Sequence, residues 1–468
     1  MKTNSSPPLR PQLAVSLKQL LELFVQLLVL QPWTPPQTSA HRRFYDRLWT
    51  PLITLWYLLW QVLHTEGTLQ DVVGDARRGG ADALVPGGQK LSQRIRSRAT
   101  TAFCKARQRL PLAWVRHALA HVTTGLRAPV QGLTWHDLTV GVIDGSTVRL
   151  RPHGNISKRW TPARNQHGAA YWCLLRVVVA FCAGSGLVLS AGVGPLSASE
   201  QALAVSLILR ATAGHLWVGD RNFGVWRIVR AALQTQGHAL VRLTETRARR
   251  LLGRALTDGL DQAVQWTPTR HDQADAGLAR QPVAGRLLVR RLRRPGFRDE
   301  WLVLFTTLTD ATVYPAAELF ALYGERWQAE LNLRALKTHL GLEQLEVKSA
   351  GMALKTWSAG LLAYNLVRGV MLWAAAAARV SPQTLSFAQA RRLLRETLRD
   401  WGRQPALAAR AELWEQLQAD LAAAGHPKRR KPRPNEPRAK YHVRESFPPL
   451  KGTRAEARRQ LHASIMES

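Results

Sequence analysis

The sequence predicts an α/β fold: a mixed sheet interrupted by a mostly β insertion, with helical regions at its N- and C-terminal ends. Three observations predict it. From Leu138 to Thr244, β-branched apolar runs alternate with helical patterns. Three more strand-like runs fall within residues 245–310. The flanking segments, 1–135 and 376–468, read as helical, the second ending in a basic tail. Residues 136–375 are therefore the expected central domain, with the insertion at about 245–310.

Charge narrows the function classes early. The 468 residues hold 65 Lys and Arg against 32 Asp and Glu, a formal charge of +33. A folded chain this basic is most simply explained by a polyanion, of which nucleic acid is the commonest, with an anionic membrane surface as the competitor. The excess is mostly arginine, which suits bidentate phosphate recognition. Cys104, Cys173 and Cys182 form no CxxC pair and no metal-ligand spacing, so they read as reduced thiols of a cytoplasmic protein. No signal peptide is evident, since Leu13–Leu30 carries Lys18, Glu22 and Gln26 and reads as an amphipathic helix.

The N-terminal region is expected to be helical. Pro7, Pro8 and Pro11 precede its first helix, and Pro32, Pro35 and Pro36 end it. Further helices are expected at Asp46–His64 and Leu69–Arg78, followed by a Gly/Pro-rich loop over Gly79–Gly88. The segment Ile95–Arg109 carries Arg96, Arg98, Lys105, Arg107 and Arg109 around Phe103. Such a basic helical segment can lie along a DNA backbone, or can be a solvated helix face.

The pattern changes at Leu138. LTVGVIDGSTVRL reads as strand, with Asp144-Gly145 open to a hairpin-turn reading. A linker with basic and aromatic residues, Lys158–Tyr171, leads to strands at Cys173–Ala183 and Leu187–Val193, joined through Gly184-Ser185-Gly186. A helix at Glu200–Ala211, a short strand ending in GD at Asp220, a helix at Val225–Gln236 and a strand at Ala239–Thr244 follow. The order β-β-β-α-β-α-β is that of a ribonuclease-H-like sheet, whose first strand is central and whose fourth lies beside it. Asp144 and Asp220 are then expected close together at one sheet edge.

Within the insertion, strands are expected at Gln262–Thr267, Gly285–Leu292 and Glu300–Thr307, and the arginine-dense Arg290–Arg298 is expected to face DNA. Beyond it, Leu319–Leu340 is expected to be one helix with Tyr323, Arg326, Glu330 and Lys337 at spacings of three, four and seven, on one stripe. Leu322, Trp327, Leu331, Leu333 and Leu336 are expected to pack. Thr356–Val380 is long and apolar enough for a membrane span, but its Ala/Gly content and its place in a DNA-handling chain favour a buried helix. Leu385–Ala424 reads as amphipathic helix, and Pro427–Lys440 as an extended basic tail.

Three carboxylates stand out: Asp144 on a strand, Asp220 at a strand end and Glu330 on a helix. Hard oxygen donors of this kind suit Mg²⁺ or Mn²⁺, and two such ions can serve both sides of an in-line displacement at phosphorus. VIDGS around Asp144, GDRNFG around Asp220, and Y-x2-R-x3-E-x6-K at Tyr323, Arg326, Glu330 and Lys337 resemble the DDE transposases of the insertion-sequence-4 type. RLWTPLITLWYLLWQVL, TAFCKARQRLP and AYNLVR extend the resemblance over about residues 46–370.

The resemblance implies a function: binding of double-stranded DNA at insertion-sequence ends, strand cleavage to a 3′-OH, and strand transfer. It implies Asp144, Asp220 and Glu330 as a metal-binding catalytic triad, Tyr323 and Arg326 on a phosphate, and Lys337 on the terminal DNA. Trp301, opening the last strand of the insertion, matches the tryptophan that stacks a flipped base in related enzymes, and is otherwise a strand-face residue. A homodimer in a synaptic complex is implied as well, in a cytoplasmic, nucleoid-associated protein with no membrane partner. An inactive DNA-binding relative and a structure-directed nuclease of the same fold are the alternatives.

Overall fold

The chain's central strand is β1, Thr139–Leu150, and the rest of the sheet is laid out from it. The computed structural model describes residues 48–85, 87–127, 133–165, 168–270, 272, 277–293, 299–423 and 452–466. The helix expected at Leu13–Leu30, its proline boundaries, most of Arg290–Arg298 and the tail Pro427–Lys440 lie outside the described residues.

β1 is apolar on both sides over Val140–Ile143, as a strand covered on two faces must be. It pairs antiparallel with β3, Gly168–Cys182, from Gly141–Cys182 to Leu150–Cys173. β4, Val188–Pro195, is antiparallel to β3 on its far side. On β1's other side, β5, His215–Gly219, runs parallel to it, and β6, His238–Arg242, runs parallel to β5. The helices α5, Glu200–Ile208, and α6, Trp226–Gln234, lie between these strands in sequence. This is a ribonuclease-H-like sheet: three antiparallel strands, then two parallel strands beside the first.

The insertion extends that sheet. β7, Asp261–Trp266, β8, Val283–Leu292, and β9, Glu300–Thr306, follow a helix, α7, Glu245–Leu252. β9 pairs antiparallel with β6, so the sheet runs on through β9, β8 and β7. Arg286, buried in β8, is held by an ion pair to Asp261 of β7 at 2.5 Å.

One segment departs from expectation and one open reading is resolved. Lys158–Tyr171 is not a linker: β2, Pro162–Asn165, pairs antiparallel with the first residues of β3, which starts five residues earlier than its apolar run. At Asp144-Gly145 the strand reading holds over the hairpin turn, because β1 runs straight through it with β3 as partner.

Helices cover the sheet. Among the described residues the N-terminal part gives α1, Pro51–Leu63, α2, Leu69–Arg77, α3, Thr101–Arg109, and α4, Leu112–Arg127. Pro51 sits in the first turn of α1, where its missing N–H costs nothing, and Thr50 caps that turn. The basic stretch Ile95–Arg109 is helical only from Thr101; residues 96–99 are irregular, with Ser97 accepting from Ala99 N.

α10, Ala350–Ala378, is buried over most of its length and packs against α1, α4, and the helices of residues 387–401 and 407–423. It is the one described helix long and apolar enough to cross a membrane, yet 83% of its most apolar stretch is buried inside the protein. The expected helix over Leu385–Ala424 is two, α11, Phe387–Trp401, and α12, Leu407–Ala423, parted by a break at 402–406. The described residues fall into two units, those of 1–291 with 301–429 and those of 292–300 with 430–468. The second contains α13, Arg454–Met466.

Lys355, buried in α10, donates to the carbonyls of Arg107 at 3.0 Å and Gln108 at 2.8 Å, closing the C-terminal end of the basic helix α3. Burial, then the neighbouring Arg107 charge, pulls its ammonium down to about 8. Between pH 8 and the ordinary lysine value the unfolded chain holds a proton that the folded one has shed, so stability from this group rises with pH in that window. Lys355→Met leaves both carbonyls without their donor. It also removes the charge whose burial is costly below pH 8, so the rise in stability between pH 8 and about 10 that the parent shows in urea denaturation is expected to disappear in the variant.

Candidate active site

The parallel pairing of β1 with β5 ends at Ile143–Gly219. The next residue on each strand is an aspartate, Asp144 and Asp220. Neighbouring strands lie about 4.8 Å apart, so the two carboxylates leave the sheet at one level. β5 stops there because Asp220 closes a turn, its Oδ1 accepting from Asn222 N at 2.9 Å and Phe223 N at 3.4 Å.

Asp144 is half-buried, and its Oδ1 accepts the Gly145 N–H at 2.9 Å. Burial pushes its carboxyl up to about 6, with Asp220 and Glu330 adding to the rise while the Gly145 N–H and Arg326 oppose it. Asp144 therefore stands in the field of both other carboxylates.

The element carrying Glu330 is not the single helix expected. α8, Ala316–Gly324, is followed by Glu325 and Arg326, then α9, Trp327–Arg334, then a π turn, Ala335–His339. Across the junction the backbone closes three residues back, with Arg326 N on Tyr323 O at 3.1 Å and Ala329 N on Arg326 O at 2.9 Å. Such a tightened stretch, followed by a widened one, breaks the common stripe. Tyr323 turns inward and is 8% exposed, and burial raises its phenol. Lys337 lies half-buried in the π turn. Leu322, Leu333 and Leu336 pack as expected, but Trp327 and Leu331 do not: they are 54% and 37% exposed, one turn apart beside Glu330.

Arg326 donates to Glu330 at 2.7 Å across one helical turn. Among the described residues, no three His, Cys, Asp or Glu side chains stand close enough to hold a metal ion. The donor types, all carboxylate, still fit a hard divalent cation.

Two residues that the sequence did not single out also meet here. Glu200, in the first turn of α5, accepts from Asn222 Nδ2 at 2.7 Å and lies against Gly145. In the sequence, Ser199-Glu200 signals only a helix start.

The family model "Transposase DDE domain" matches residues 135–366, which span all three carboxylates and the Tyr323–Lys337 signature. Transposase InsG for insertion sequence element IS4 of Escherichia coli (strain K12) is 25% identical over 327 residues, covering 68% of this chain and 69% of that protein. The chain belongs to the insertion-sequence-4 family of DDE transposases. A piggyBac transposase, solved by cryo-EM as a synaptic complex with hairpin DNA, superposes with a TM-score of 0.40 at 10% identity over 93% of this chain and 90% of that one.

In this transposase, Trp301 opens β9 half-buried, with the Arg291 guanidinium 5.5 Å from its ring centre. Arg107 in α3 is half-buried beside Phe103, its guanidinium 5.8 Å from that ring, while Lys105 and Arg109 on the same helix are exposed. Neither residue touches the Asp144 region in any contact described above. The family uses divalent metal ions and acts on DNA.

Proposed function

We propose that the transposase binds the ends of its own insertion sequence, cuts one DNA strand at each end, and joins the freed 3′-OH to a second strand. The observation that carries this is the placement of Asp144 and Asp220 at the same level of neighbouring strands, with Asp144 raised by burial and by the charges of Asp220 and Glu330.

In the first step a water oxygen bonds to phosphorus, the bond from phosphorus to the 3′ oxygen breaks, and that oxygen takes up a proton to become the 3′-OH while the water gives its own proton to solvent. In the second, the 3′-OH oxygen bonds to a phosphorus of another strand and gives up its proton, and the bond to that strand's 3′ oxygen breaks, that oxygen leaving with a proton from solvent. Asp144, Asp220 and Glu330 would hold Mg²⁺ or Mn²⁺, two ions, which supply activation of the attacking oxygen and offset charge on the leaving one. When Glu330 turns to that task, Arg326 is freed, and its planar fork can take a phosphate beside Tyr323. Lys337 contacts the terminal DNA.

Trp301 offers an indole face to a flipped base, a contact worth about 1–3 kcal/mol. Trp327, exposed one turn before Glu330, offers a second. Arg107, with the exposed Lys105 and Arg109 on α3, serves the DNA backbone, within an N-terminal region, 1–135, devoted to DNA binding. The C-terminal region, 376–468, serves dimerisation and further DNA contact, in a homodimer that pairs two ends.

The test is cleavage of a labelled duplex carrying the element's own end. With Mg²⁺ a nick at the element's boundary is expected, with none in EDTA, followed by a joined product when target duplex is added. An end bound tightly but uncut under every divalent ion would make the chain an inactive DNA-binding relative. Hydrolysis with no joined product would favour a structure-directed nuclease.

A further inference from the structure

Gly145 follows the aspartate that the proposed chemistry needs most, yet β1 has no turn there and no left-handed backbone that would call for glycine. The reason lies across the site. A Cβ at position 145 would stand 2.5–2.9 Å from the carboxylate of Glu200. The space that any other side chain would take is filled by an acidic group from α5.

That same carboxylate reaches the other strand. Its Oε2 accepts from Asn222 Nδ2 at 2.7 Å, and the next residue, Gln201, donates from Nε2 to the Asn222 carbonyl at 2.8 Å. Asn222 in turn donates its backbone N–H to Asp220 at 2.9 Å. The one carboxylate of Glu200 thus lies against β1 one residue after Asp144 and also holds the turn two residues after Asp220. Ser199 fixes the start of α5, accepting from Ala202 N at 3.0 Å, so the first turn that carries both clamps is itself anchored.

We propose that Glu200 is a positioning residue: with Gln201 it clamps the Asp220 turn against β1 and so sets the separation of Asp144 and Asp220. The clamp needs an acceptor at position 200, not a charge. It also needs the absence of a side chain at 145, which gives VIDGS its glycine a mechanical meaning. This rests on the reading of the two aspartates as catalytic, but the clamp itself can be measured without catalysis.

The experiment uses the full chain and four variants: Glu200→Gln, Glu200→Ala, Gly145→Ala and the double Gly145→Ala/Glu200→Ala. Hydrogen exchange of the amides in 220–224, followed by mass spectrometry without DNA or metal, reads the clamp directly. Single-turnover cleavage of the end duplex reads its consequence, with duplex affinity and melting temperature measured alongside. Glu200→Gln keeps the acceptor for Asn222, so its exchange and cleavage are expected to match the parent. Glu200→Ala and Gly145→Ala are expected to speed exchange at the turn and slow cleavage, by up to about 10²-fold for a displacement near 1 Å. The double variant should be no worse than either single one, since both break the same contact.

Unchanged exchange in Glu200→Ala overturns the clamp. So does a Glu200→Gln variant as slow as Glu200→Ala, which would assign Glu200 a charge role toward the cation. A parent protein that never cuts, but whose turn loosens in Glu200→Ala, would keep the clamp and remove the catalytic reading.

Discussion

Asp144→Asn is expected to abolish strand cleavage while leaving binding of the end duplex within a few-fold of the parent. On the proposed reading of the site, loss of one of three carboxylate donors removes transition-state stabilisation on the order of 4 kcal/mol, or about 10³-fold in rate. Binding survives because it rests on the distributed basic surface, +33 over the chain, and not on one acid. Glu330→Gln is expected to behave alike, and it also weakens the bond that ties up Arg326. Weak binding together with lost cleavage in Glu330→Gln would argue that Glu330 is structural.

Asp144→Asn carries a second expectation, of opposite sign. The folded carboxyl titrates at about 6, chiefly because of burial, against an ordinary value near 4. Between those values the folded chain binds more protons than the unfolded one. Stability therefore falls as pH rises through that window, and the full cost is present above pH 6. An amide has no such cost. The variant is expected to melt no lower than the parent at pH 7.5 in EDTA, and the difference should vanish near pH 4. A lower melting temperature at pH 7.5 would show that Asp144 supports the fold.

The second large effect is expected at Arg368, in the AYNLVR segment of α10. Arg368 is 7% exposed and meets no carboxylate among its described bonds. It donates to Asn332 of α9, two residues after Glu330, and from Nε to Tyr364 OH at 3.0 Å, and lies over the Phe387 ring. Tyr364 OH donates to the Gly186 carbonyl at 2.9 Å, and Asn365 bridges Val188 and Thr123. Gly186 is required there twice over, by its φ of +72° and by the Arg368 guanidinium 3.0 Å from where a Cβ would lie.

This network joins the β3–β4 turn, the core helix and the helix bearing Glu330. Arg368→Ala strands Asn332 and Tyr364 and leaves a void, a loss of about 2–4 kcal/mol in denaturant unfolding. Lysine should not rescue it, because a single ammonium cannot serve both acceptors in the planar geometry of the fork. An alanine variant as stable as the parent would show that the buried charge contributes nothing to holding α9.

The sequence by itself determined the kinds of elements and their order, since those follow from local pattern. β-branched runs, helix starts and glycine-bearing turns placed β1, β4, β5, β6 and the insertion strands close to where they lie. The identity of Asp144, Asp220 and Glu330 as residues of interest was legible too, because short motifs with fixed spacing carry it. What only the tertiary structure decided are the features set by contacts distant in sequence. The strand reading of Asp144-Gly145 depends on β3 as a partner more than thirty residues away. The β2–β3 pairing drew Lys158–Tyr171, polar enough to read as linker, into the sheet. The broken helix at Gly324–Ala329 and the π turn at Lys337 interrupt the single stripe, and Trp327 and Leu331 stand exposed where periodicity alone buries them. Glu200 could not be found from sequence, because a helix-start glutamate and a strand glycine become one feature only when the fold brings them into contact.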